Sequence, residues 1–192
     1  VTIKHTIIKN FDDAIAIKPL NSNNTLSNCT EDIIIYNTTV HFGVGLSIGS
    51  VSPNRATNCI QNILFKDAIF YNPIKAIYIK TNPGDIGDGI IKNITYENIR
   101  WDRSLWYGIY IGPQQEKEPD GNGPGCMLYP LTDCPTNPKI NISDIYLKNI
   151  SSQGDLLFSG LIRCNQSNPC NNITFIDVHL QKDYICEYAN VN

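Results

Sequence analysis

Ile74-Lys75-Ala76-Ile77-Tyr78-Ile79-Lys80 superimposes on Gly43-Val44-Gly45-Leu46-Ser47-Ile48-Gly49. A third copy, Asp12-Asp13-Ala14-Ile15-Ala16-Ile17-Lys18, lies upstream of both. A fourth, Trp106-Tyr107-Gly108-Ile109-Tyr110-Ile111-Gly112, lies downstream, so the copies start at positions 12, 43, 74 and 106. A weaker fifth, Ser159-Gly160-Leu161-Ile162-Arg163, is delayed by an insert at about 113–139. A fixed period of about 31 residues marks a repeat architecture, in which each unit buries its apolar face against the next.

A second strand-like run precedes each copy, at 1–8, 32–40, 61–70, 92–101 and 139–150, and a last one lies at 172–180. Apolar residues alternate within these runs, Asn, Gly and Pro punctuate the gaps, and no stretch keeps helical spacing. A two-layer sandwich also has many short strands, but not one motif returning at one phase in every repeat. The predicted fold is all-β, a parallel β-helix (solenoid), as a single partial domain over 1–192 with the 113–139 insert. Ile15, Leu46, Ile77 and Ile109 are expected to stack inside, as are Ile17, Ile48, Ile79 and Ile111.

Alternation then sends the neighbours outward. One outward column is Ala16, Ser47, Tyr78 and Tyr110; the next is Lys18, Gly49, Lys80 and Gly112. The two columns form either an ordinary solvated face or a shallow floor on which Tyr stacks on sugars and Lys meets uronate carboxylates. Asp12 and Asp13 adjoin this floor. Neighbouring carboxylates repel, and one tends to keep its proton. Glycoside hydrolysis by inversion uses that asymmetry, with an acid for the leaving oxygen and a base for water about 6.5–9.5 Å apart. Adjacent side chains do not guarantee that span, so a third carboxylate is expected from a preceding winding.

The chain has 192 residues, 18 Asp+Glu against 15 Lys+Arg, and a net charge of −3. It has no basic block and no apolar run near the roughly 18–20 residues of a membrane span, which argues against nucleic acid or membrane as a partner. Val1 opens directly into a strand-like run, and the reading is of a fragment or processed form whose N-terminal windings are missing. Seven cysteines include two close pairs, Cys126/Cys134 and Cys164/Cys170, which read as short-loop disulfides rather than a zinc site. Cys29 and Cys59 lie about one winding apart at similar phase, as a bridge or as two buried thiols. Cys186 is left over, either to pair with the missing segment or to stay free. Eight Asn-x-Ser/Thr sequons, at Asn23, Asn28, Asn37, Asn93, Asn141, Asn149, Asn165 and Asn172, point with the cysteines to a secreted glycoprotein. The glycine-rich stretches at 82–89 and 119–125 lack the closing Glu of a calcium loop. His5, His41 and His179 read as surface or loop residues.

At these motifs the chain resembles glycoside hydrolase family 28, the polygalacturonases of the pectin lyase-like superfamily. Asp12-Asp13-Ala14-Ile15-Ala16-Ile17-Lys18 matches the family's Asp-Asp motif. Gly43-Val44-Gly45-Leu46-Ser47-Ile48-Gly49-Ser50 matches its Gly-His-Gly motif except at the histidine, and Tyr78-Ile79-Lys80-Thr81 its Arg-Ile-Lys motif except at the arginine. The resemblance implies a right-handed, single-stranded parallel β-helix and inverting hydrolysis of pectin-type (galacturonan-containing) polysaccharide without metal or cofactor. It also implies Asp12 as general acid, Asp13 as a carboxylate that positions water, and Lys80 as a partner of the substrate carboxylate; Tyr78 and Tyr110 are expected as substrate contacts from the outward column. A secreted monomer is expected. Val44 and Tyr78 also fit an alternative, a polysaccharide-binding β-helix with impaired catalysis, or a purely structural solenoid. Lys80 alone does not replace a bidentate arginine, so weak or shifted specificity is expected.

Overall fold

The computed structural model describes residues 1–20, 29–51, 57–82, 88–115 and 125–192. Among these, long strands alternate with short ones along the chain. The long set is β1 (Thr2–Asn10), β3 (Thr30–Phe42), β5 (Thr57–Tyr71), β7 (Asp88–Asp102), β9 (Ile140–Gln153) and β11 (Cys170–His179), closed by the short β13 (Ala189–Val191). The short set is β2 (Ile15–Ile17), β4 (Leu46–Val51), β6 (Ile77–Thr81), β8 (Ile109–Pro113), β10 (Gly160–Arg163) and β12 (Tyr184–Glu187). The long set forms a seven-stranded sheet and the short set a six-stranded one, each strand pairing in parallel with the next of its set. Consecutive strands therefore wind from one sheet to the other, and the fold is a right-handed parallel β-helix.

The register follows the repeat. Ile15, Leu46, Ile77, Ile109 and Gly160 are successive partners, and so are Ile17, Ile48, Ile79, Ile111 and Ile162. Leu46, Ile48, Ile77, Ile79 and Ile111 are fully buried, each worth about 1.5–3 kcal/mol of transfer free energy. The opposite sheet stacks Ile35, Phe65, Tyr96 and Leu147 against them, with the Phe65 and Tyr96 rings stacked at 4.6 Å.

Within the long strands the structure departs from simple alternation. Asp32, Asn62, Asn93, Asp144 and Asn172 have left-handed φ between 54° and 56°, and His5, Asn37, Asp67, Asn98, Asn149 and Asp177 have φ between 51° and 56°. Each pair in a winding is five residues apart, and each set occupies one column. A left-handed residue turns the strand by a corner and resets which residues face inward. Ile91, Ile94, Tyr96, Ile99 and Trp101 are thus all buried although their spacing is three, two, three, two. Asn and Asp tolerate this conformation best among non-glycine residues. Their side chains also bond across windings: Asn93 Nδ2 donates to Asn62 Oδ1 at 2.8 Å, Asn98 Nδ2 to Asp67 Oδ1 at 2.7 Å, and Asn149 Nδ2 to Asn98 Oδ1 at 2.8 Å. The sequons at Asn37, Asn93, Asn149 and Asn172 coincide with these corners: corner Asn, one residue, then Thr or Ser. Their recurrence is accounted for by the fold itself. Asn23 and Asn28 lie outside the described residues.

Three disulfides form. Cys29–Cys59 ties neighbouring windings, with Cα atoms 4.6 Å apart, and Cys126–Cys134 and Cys164–Cys170 close short loops. Cys186 is free and exposed. Beyond the last strand-like run of the sequence, β12 and β13 add a further partial winding.

Candidate active site

Asp12 and Asp13 occupy the turn between β1 and β2, and the neighbouring chain fixes that turn. Asn10 Nδ2 donates to the Asp13 carbonyl at 2.9 Å, and the Asp13 N–H donates to Asp12 Oδ1 at 2.7 Å. From the next winding, the Val44 N–H donates to the Asp12 carbonyl at 2.9 Å. Gly43, at φ +74°, makes this approach possible: a Cβ there would stand 2.8 Å from Asn10 Oδ1 and 3.2 Å from the Asp12 carbonyl oxygen.

The two carboxylates then differ. Asp13 points over the short-strand sheet, where Ser47 Oγ of β4 donates to its Oδ1 at 2.6 Å and Lys80 Nζ of β6 to its Oδ2 at 2.7 Å. Asp13 and Lys80 side chains are only 12% and 10% exposed. Asp12 is exposed, and beyond its Oδ1 contact with the Asp13 N–H no side chain among the described residues holds it. Beneath them, the buried Tyr96 hydroxyl donates to the Leu46 carbonyl at 2.9 Å. Burial, with the charge of Asp13 second, raises the Tyr96 phenol well above its ordinary range, so it remains a neutral donor.

Lys80 is therefore brought to Asp13 rather than left facing solvent. Its Nζ also lies 4.8 Å from the Tyr78 ring centroid, and Lys75 Nζ lies 4.6 Å from the same ring. Tyr78 and Tyr110 face outward as expected, but not onto an open floor. They are 4% and 0% exposed, packed edge to face at 5.4 Å beneath Cys126, Tyr129 and Cys134 of the insert. Tyr110 Oη donates to the Pro113 carbonyl at 2.8 Å, and Tyr78 Oη accepts from the Gln115 N–H at 3.3 Å. Stacking on a sugar, the role expected from the outward column, gives way in Tyr110 to a core contact, because the insert folds back over the face that alternation exposes. Burial raises the Tyr110 phenol, and burial with a hydrogen bond to Glu187 raises Tyr129 to about 12.

Val44, at the position of the resemblance's histidine, is half-buried against this aromatic cluster. The three histidines lie on the long strands: His5 beside Asn37, His41 stacked on Tyr71 at 5.2 Å, and His179 on Asp177 at 2.8 Å. Asn10 and the hydroxyl of Ser47 are site components that sequence reading did not single out. Ser47 could have been found from its place in the outward column between Ala16 and Tyr78; Asn10 offered no signal. Of the glycine-rich stretches, 82–89 is described only at Asn82, Asp88 and Gly89, and 119–125 only at Gly125.

A model of glycosyl hydrolases family 28 matches residues 1–192. A putative galacturan 1,4-alpha-galacturonidase A of Aspergillus flavus is 28% identical, the match covering 100% of this chain and 47% of that protein. An endopolygalacturonase of Emericella nidulans is 31% identical over 94% of this chain and 41% of its own length. Among solved structures, an endo-xylogalacturonan hydrolase from Aspergillus tubingensis superimposes with a TM-score of 0.70 at 21% identity, covering 99% of this chain and 46% of that one. A polygalacturonase from Erwinia carotovora gives 0.67 at 22% identity, with 100% and 43% covered. The chain thus spans less than half the length of these relatives.

Proposed function

The chain belongs to glycosyl hydrolases family 28, and from that premise we propose that it hydrolyses glycosidic bonds of a pectin-type, galacturonan-containing polysaccharide with inversion. The unequal setting of two adjacent carboxylates carries this reading: Asp13 is clamped by Ser47 and Lys80, and Asp12 stands open. In the proposed step Asp12 gives its proton to the leaving glycosidic oxygen as that oxygen takes the electron pair of the breaking bond. A water oxygen bonds to the anomeric carbon from the opposite face and loses one proton to a carboxylate. Asp13, as an ionised acceptor held at both oxygens, positions that water. A further carboxylate from an upstream winding shares the task.

Lys80 serves two partners in this scheme, Asp13 and a uronate carboxylate, through separate ammonium hydrogens. Tyr78 in place of an arginine leaves the uronate without a bidentate grip, which favours a substrate other than plain polygalacturonate. Three disulfides suit an oxidising compartment, in keeping with a secreted protein acting as a monomer on an extracellular polymer. Among the described residues no helix is long and apolar enough to cross a membrane.

A second reading, a sugar-binding β-helix that has lost its chemistry, is favoured by Val44, which stands where the resemblance has a histidine and packs its apolar side chain on the aromatic cluster. Release of reducing sugar from polygalacturonate, rhamnogalacturonan and xylogalacturonan separates the two. For hydrolysis, Asp12→Asn and Asp13→Asn each lower kcat by about 10²–10⁴-fold, the usual worth of a positioned acid or base. Turnover that survives both substitutions overturns the assignment. Binding without turnover in any form supports the second reading.

A further inference from the structure

The outward face of the short-strand sheet is open at one end of the described windings and covered at the other. In the first winding Ala16 and Lys18 are exposed. Two windings on, Tyr78 is 4% exposed, and Tyr110 and Leu161 beyond it are at 0%. The cover is the segment 125–134, whose Cys126, Tyr129 and Cys134 pack directly on Tyr78, Tyr107, Tyr110 and Leu161.

This cover is fastened, not merely resting. The Cys126–Cys134 disulfide closes it on itself. Tyr107 Oη donates to the Tyr129 carbonyl at 3.2 Å from below. Arg163 of β10 holds it from the side: one guanidinium nitrogen donates to Tyr129 Oη at 3.1 Å and also pairs with Glu187. The other donates to Asp133 at 2.5 Å and to the Cys134 carbonyl at 3.1 Å. The guanidinium also lies 4.3 Å from the Tyr129 ring centroid. The guanidinium, with 11% side-chain exposure, is bonded at both terminal nitrogens and ties the buried Tyr129 and Cys134 to β10.

Asp13 Oδ2 lies 2.7 Å from Lys80 Nζ, which in turn lies 4.8 Å from the centre of the Tyr78 ring beneath the cover. A polymer laid along the sheet across Asp13 meets a closed wall within a very short run of sugar units. A chain that continues in both directions does not fit, whereas one that ends at the wall does. We propose that the disulfide-closed segment 125–134 blocks one end of the groove and makes the protein act at polymer ends, releasing short products of fixed length instead of cutting internal bonds. The bond broken and the water consumed are those already given. The inference rests on the pectin-hydrolase reading and adds where on the polymer that reaction occurs.

Digestion of a galacturonan, followed by viscosity, reducing ends and anion-exchange separation of products, tests it. End action gives one short product from the earliest times and a slow fall in viscosity per bond cut. Loosening the wall, by Arg163→Ala or by Cys126→Ser with Cys134→Ser, broadens the products to a ladder and steepens the fall in viscosity. A ladder from the unsubstituted protein, or a single product that both loosened variants retain, overturns the inference while leaving hydrolysis intact. A binding experiment stands beside it, using the Asp12→Asn protein and oligogalacturonates with one, the other or both ends carrying a bulky group. Loss of affinity on blocking one particular end supports the wall, and equal affinity for doubly blocked oligomers sinks it. Absence of both turnover and binding overturns the pectin reading itself.

Discussion

Asp13 is held from three directions by residues that chain sequence keeps far apart: Asn10 from its own turn, Ser47 one winding on and Lys80 two windings on. Burying a carboxylate and an ammonium is costly for each alone and tolerable together. Lys80→Ala is therefore expected to destabilise the protein by about 3 kcal/mol or more, because it leaves a nearly buried carboxylate unpaired, measured as a shift in the urea unfolding transition. In an Asp13→Asn background the same substitution costs far less, since no charge is stranded; equal costs in the two backgrounds would show that Lys80 acts through packing alone. At this scale the sequence is informative where the repeat applies. The repeat spacing alone brings Asp12 and Asp13 beside the face that carries Lys80. The clamp itself is not legible, because Asp13 precedes its strand, and the direction its side chain takes depends on the Asn10 and Gly43 contacts.

The long strands show what a period-two reading misses. Asp and Asn recur five residues apart in successive windings, at 32 and 37, 62 and 67, 93 and 98, 144 and 149, and 172 and 177, with Asp at 32, 67, 144 and 177 and Asn at the others. That spacing is visible as punctuation between strands, but the corners it makes require φ > 0, which alternation does not encode. Asn98 sits at the centre of its ladder, donating to Asp67 and accepting from Asn149, with φ +56°. Asn98→Ala loses both side-chain bonds and places an alanine in a left-handed conformation, for a combined cost of about 2–4 kcal/mol. Asn98→Gly loses the same bonds without the conformational cost and is expected to be about 1–2 kcal/mol less damaging. Chemical unfolding of the two variants reads the difference, and an alanine variant as stable as the glycine one would remove backbone conformation from the account of these corners. The insert follows a similar logic: its length stands out against the period, but alternation treats the outward face as solvated, so the burial of Tyr78 and Tyr110 beneath it emerges only from tertiary packing. The last winding is hidden for a related reason. In β12 the inward register positions fall on Tyr184 and Cys186 and the outward one on Ile185, the reverse of the apolar pattern that marks the earlier copies.

A solenoid distributes its stability largely by nearest neighbours, since each winding pairs its strands with those of the one before and the one after. β7 is paired on both sides, by β5 and β9, whereas β1 pairs only with β3 and β13 only with β11 within the described residues. Strands paired on both sides open less readily, and amide exchange is expected to be slow in β5, β7 and β9. The Cys29–Cys59 bridge adds a local constraint to this pattern. It closes a loop of 30 residues and in the chain-entropy model contributes about 3.5 kcal/mol, which falls on the windings it joins and not on distant ones. Cys29→Ser combined with Cys59→Ser should accelerate exchange in β3 and β5, reach β1 and β7 weakly, and leave β9 and β11 as they were. Hydrogen–deuterium exchange read by mass spectrometry resolves these segments separately. A uniform acceleration across all of them would mean that the windings unfold as one cooperative body, and the nearest-neighbour description of this β-helix would then have to be given up.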